Sequence, residues 1–68
     1  MTNTKQLEKY IEKSGYKRSY LAKALGITSY SLALKINNKS EFKASEISVL
    51  SNVLGISVED RMSIFFAQ

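Results

Sequence analysis

The stretch "LAKALGIT" at residues 21–28 returns as "LSNVLGIS" at residues 50–57, each an apolar stripe closed by Gly, Ile and a hydroxyl residue. Whether these are two copies of one device decides how the chain folds. Taken as the first helix of a tight helix–turn–helix corner, each must meet three needs. A small residue has to sit where the helices approach, a Gly has to take up the left-handed turn, and an apolar residue has to anchor the second helix. The first stretch supplies Ala22, Gly26 and Leu32. The second supplies Ser51, Gly55 and Arg61, and burying an Arg at the anchor is costly. Charge divides them the same way: Lys35 and Lys39 follow Gly26, whereas Glu59 and Asp60 follow Gly55. Only the first corner suits a polyanion, and the second is a plain helix-to-helix turn.

Outward from these corners the apolar spacing is helical throughout. Leu7, Tyr10, Ile11 and Ser14 fall at i, i+3, i+4 and i+7, with Asn3 and Gln6 placed as a capping box and Gly15 as a stop. Leu21, Ala22 and Leu25 make the second stripe, ended by Gly26. Leu32 and Ile36 mark a third helix over 28–37, which Thr28 can cap. Ile47, Leu50 and Leu54 make a fourth, and Ser57 opens a fifth with Asp60 in its first turn. In the tail "SIFFA", Ile64, Phe65 and Phe66 read either as the end of that helix or as a short strand. The expected fold is one all-α domain over 1–68: a compact bundle of about five short helices containing a helix–turn–helix, with the C-terminal tail helical or a short strand.

Composition removes several classes of chemistry. The 68 residues contain no Cys and no His, which excludes disulfide scaffolds, zinc fingers, thiolate nucleophiles and imidazole bases. Glu59 and Asp60 remain as an acid pair, but neighbouring helical positions point about 100° apart, and both sit where a helix start favours negative charge. No enzyme, cofactor, metal or small-molecule substrate is expected. No apolar run approaches the roughly 20 residues of a membrane span and no signal-peptide pattern opens the chain, so the expected location is inside the cell. Ten Lys and Arg against six Asp and Glu give a net charge of +4, which permits a polyanionic partner without requiring one.

The segment "LAKALGITSYSLALKINNK" (21–39) resembles the helix–turn–helix of the lambda-repressor and Cro family. The flanking "LEKYIEKSGYKRSY" (7–20) and "EFKASEISVLSNVLGIS" (41–57) are similar to that family's first and fourth helices. The ending "IFFA" is similar to small phage and prophage regulators of Gram-positive bacteria. Spanning nearly the entire chain, the resemblance implies a Cro-like repressor in the cytoplasm of a bacterial host. Such a protein binds a double-stranded DNA operator through the major groove as a homodimer. Helix–turn–helix packing then falls to Leu21, Ala22, Leu25, Gly26, Leu32 and Ile36. By position, the resemblance implies Ser29, Tyr30, Ala33 and Leu34 as base readers. It places Lys17, Arg18, Asn37, Lys39, Ser40 and Lys43 against the phosphate backbone.

Winding residues 29–38 as a helix puts Leu32 and Ile36 on one side with the Lys35 stem along its edge, and Tyr30, Leu34 and Asn37, flanked by Ala33, on the other. Ser29 can donate or accept, Tyr30 offers a hydroxyl and a ring, and Ala33 with Leu34 can pack on thymine methyls. The set lacks bidentate Arg, Asn or Gln, so sequence preference leans on T-rich steps, DNA shape or water. An outward Leu34 also motivates a second reading, a small phage modulator or antirepressor that grips another repressor protein. Lys17 and Lys43 stand where relatives place Thr or Ser caps, weakening each helix start by about 1 kcal/mol. Asn38 stands where relatives carry Gly, and Asn tolerates the left-handed turn. Lys5, Lys9 and Lys13 read as solvated charges beside Glu8 and Glu12. Ile64, Phe65 and Phe66 are expected at a dimer interface, with core capping as the rival role. With about five cationic phosphate contacts, log K falls against log salt with a slope of about −4.5.

Overall fold

The computed structural model describes residues 1–66. They form five helices, α1 (Thr4–Ser14), α2 (Arg18–Leu25), α3 (Ser29–Ile36), α4 (Ala44–Leu54) and α5 (Val58–Phe65). No strand occurs among the described residues, and the tail runs as helix through Phe65. Ala67, the last residue of "SIFFA", lies outside them.

Local chemistry accounts for the helix limits. Thr28 Oγ1 accepts the Ser31 N–H at 3.0 Å, and Ser57 Oγ accepts the Asp60 N–H at 3.1 Å, so α3 and α5 start on side-chain caps. Lys17 and Lys43 give no such bond, as a donor-only side chain requires. Gly26 carries φ +72°, and the left-handed turn lets its N–H and that of Ile27 close on α2 carbonyls. The expected capping box of α1 is only half made. Asn3 Oδ1 accepts the Gln6 N–H at 3.2 Å, but the Asn3 N–H donates to the Ile64 carbonyl at 2.6 Å. The start of the first helix is thereby stitched to the end of the last.

The core draws on all five helices and the turn before α5: Leu7, Ile11, Leu21, Ala22, Leu32, Ile36, Leu50, Ile56, Ile64 and Phe65. Leu25 packs against it from a half-buried position. Phe42, in the connection before α4, meets the Phe65 ring edge-on at 5.4 Å. The two look-alike corners differ as their anchors require. Ala22 and Leu32 are closely packed at the first, at 2 % and 0 % exposure. At the second, Ser51 is buried without a partner for its hydroxyl, and Arg61 is half-buried with an unpartnered Nε. Among the described residues no helix is long and apolar enough to cross a membrane.

Candidate nucleic-acid interface

Packing decides which face of α3 is free. Leu32 and Ile36 point inward and are fully buried, which turns the start of the helix outward. Ser29 is exposed and the Tyr30 ring is 75 % exposed. Ala33 and Leu34 are only half-buried neighbours of that patch. Leu34 is therefore not the outward side chain expected of it. The free patch is narrower than the winding suggests and centred on the first turn.

Lys35 departs further from expectation. Its stem does not lie along an edge with the ammonium in water; the residue is 6 % exposed. Its Nζ donates to Glu46 Oε1 at 2.5 Å, a pair between α3 and the first turn of α4. The same oxygen accepts the Lys43 N–H at 2.8 Å, the half of a capping box that the third residue of the helix supplies. Burial alone would push the Glu46 carboxyl up. The Lys35 and Lys43 hydrogen bonds and the two lysine charges outweigh that and hold it below its ordinary value.

The expected phosphate contacts divide. Lys17, Asn37, Lys39, Ser40 and Lys43 are all exposed, on both flanks of α3 in the chain. Arg18 is exposed too, but its guanidinium pairs with Glu8 at 3.0 Å. That pair lies at the surface, where such bonds contribute little and exchange readily. Asn38 adopts φ 63°, as its place in the turn requires. Its side-chain amide both accepts the Thr2 N–H and donates to the Thr2 carbonyl, each at 2.7 Å. Thr4 Oγ1 donates to the Ile36 carbonyl at 2.5 Å. These bonds hold the N-terminal segment against the end of α3.

Of the three residues expected at a dimer interface, Ile64 and Phe65 are instead core residues, at 0 % and 5 % exposure. Phe66 is 53 % exposed and continues a stripe with Val58 and Met62, at 68 % and 58 %, along the outer side of α5. Spacing of i, i+4 and i+8 puts the three on one face. The strand alternative obscured this, because a strand would set Ile64 and Phe65 on opposite faces, whereas the helix buries both.

Sequence reasoning passed over two features. Tyr16 and Tyr20 stack with ring centroids 4.9 Å apart beside Lys17, an i, i+4 pair legible once α2 is placed. Glu46 stands three residues after Lys43, the spacing of a capping box, but a Lys in the cap position hides the pattern.

Among the curated proteins and the solved structures compared with this chain, nothing matches. Over residues 3–68 the chain matches the family described as "Protein of unknown function (DUF739)", and it belongs to that family.

Proposed function

We propose that this DUF739 member is a sequence-specific DNA-binding transcriptional regulator, a Cro-like phage or prophage repressor that inserts the start of α3 in the major groove of its operator. The observation that carries the reading is the exposed first turn of α3. Ser29 and Tyr30 project from a helix whose opposite side is buried in the core through Leu32 and Ile36. Free Lys17, Lys39 and Lys43 flank that helix in sequence, which supports phosphate contact on either side of it. Ala33 and Leu34, half-buried, are left to pack on thymine methyls at the margin.

One reading helix in so small a module makes a small interface, so the functional unit is a homodimer on a two-fold site. The Val58, Met62 and Phe66 stripe of α5 is the apolar surface available for pairing.

Selection from random duplexes, followed by anisotropy titration, tests the reading. The wild-type protein is expected to yield a palindromic consensus. Replacing Ser29 and Tyr30 by Ala should flatten preference among sites and leave non-specific affinity nearly intact, whereas Lys39→Ala should weaken every duplex alike. Identical behaviour of both variants on every site would remove the division into readers and positioners. A second reading, capture of another repressor protein by the same helix face, is favoured by the size of the exposed Tyr30 ring. It predicts feeble, sequence-blind DNA binding.

A further inference from the structure

Apolar contact is non-directional, so a helix packed on one neighbour can shift along it. Among the described residues α3 packs broadly on α2 alone, whereas α4 packs on both α2 and α1. The far end of α3, where Ile36 enters the core, is also held by polar bonds. Two sets reach back to the N-terminal segment, from Thr4 to Ile36 and between Thr2 and Asn38. The third is the Lys35–Glu46 pair, with both residues 6 % exposed.

A buried Lys–Glu pair is a poor source of stability, because removing two charges from water cancels much of their attraction. Its geometry is nonetheless demanding. One oxygen of Glu46 takes the Lys35 ammonium at 2.5 Å and the Lys43 N–H at 2.8 Å; the second bond fixes the carboxylate to the start of α4, and the first does not survive a sliding α3. Lys35 follows Leu34 directly on α3, and Lys43 closes segment 39–43, exposed except at the half-buried Phe42. A duplex presents base edges and phosphates at a fixed separation, so a protein that engages both needs its own two parts fixed likewise.

We infer that Lys35 and Glu46 are positioning residues that set the base-reading turn of α3 against the phosphate-contact segment 39–43. The inference rests on the DNA-binding reading above. It assigns neither residue a contact with DNA. Their effect falls on discrimination between sites, not on overall attraction to the duplex.

The test is the double variant Lys35→Met with Glu46→Gln. Met keeps the bulk of the Lys stem, and the Gln carbonyl keeps an acceptor for the Lys43 N–H. The folded variant is expected to hold its non-specific affinity while the ratio of consensus to random-duplex affinity falls about tenfold. Residual dipolar couplings on the free protein should show α3 reoriented relative to α4, with couplings inside each helix preserved. An unchanged affinity ratio together with an unchanged α3 orientation would overturn the inference and leave the pair a merely structural one. If the double variant unfolds, Glu46→Gln alone carries both measurements under the same criteria. A wild-type protein that selects no consensus would defeat the DNA-binding reading instead, and the orientation measurement would then decide the positioning role by itself.

Discussion

Asn38 shows how much one side chain can be asked to do. Its backbone holds φ 63°, a conformation that costs most residues energy and costs Asn less. Its amide also serves both backbone groups of Thr2, which is 8 % exposed. Gly would relieve the turn but release Thr2, and Ala would fail on both counts. Asn38→Gly is therefore expected to lose about 1 kcal/mol and Asn38→Ala about 2 kcal/mol, read from urea unfolding midpoints. If Asn38→Gly matched the wild type, the two bonds to Thr2 would contribute no more than the relief of the turn. Arg18 shows the opposite economy. Its bond to Glu8 is exposed on both sides, so the guanidinium remains available to a stronger anion.

Between elements, the Lys35–Glu46 pair makes acid stability a readout of how α3 meets α4. The Glu46 carboxyl is held below its ordinary value in the folded chain. A carboxyl depressed on folding adds stability above its unfolded value, and that stability is lost as pH falls through the folded one. Unfolding midpoints of the wild type should therefore decline on the acid side of the carboxylate range. The Lys35→Met, Glu46→Gln variant should decline less steeply there. Parallel acid limbs would mean that the pair adds no pH-dependent stability. A second link, from the Tyr10 hydroxyl to Asp60, joins α1 to α5. The hydrogen bond to that carboxylate, then burial and the negative charge, push the Tyr10 phenol above its ordinary value.

For the molecule as a whole, the ten Lys and Arg overstate the cations open to a polyanion, although the net charge stays at +4 because each ion pair removes one charge of either sign. Lys35 is neutralised inside the protein and Arg18 is engaged by Glu8. With Lys17, Lys39 and Lys43 free, and Arg18 recruited or not, the salt slope of duplex binding is expected at about −2.7 to −3.6 per protomer, shallower than five contacts would give. Anisotropy titrations across a salt series measure it. A slope near −4.5 per protomer would mean that further cations, such as those of α1, reach the duplex. The proposed dimer has its own test at this scale. Met62→Asp changes a side chain that is 58 % exposed and should leave the fold intact while shifting sedimentation from dimer to monomer. An unchanged sedimentation state would move pairing off α5.

Much of this architecture was written locally. Helical stripes, the Thr28 and Ser57 caps and the left-handed stops at Gly15, Gly26 and Gly55 each depend on residues within a turn or two of one another. The contrast between the two corners was legible for the same reason, since one apolar and one charged anchor sit at matching places in the sequence. The candidate site was legible in outline: Ser29 and Tyr30 outward, Leu32 and Ile36 inward, lysines beside them. Tertiary structure alone decided that Lys35 turns in to Glu46, that Leu34 is half-buried, that Arg18 meets Glu8, and that Ile64 and Phe65 belong to the core. A helical period tells which residues share a face. It does not tell which face of another helix will come to cover them, because that depends on how all the elements share one small core.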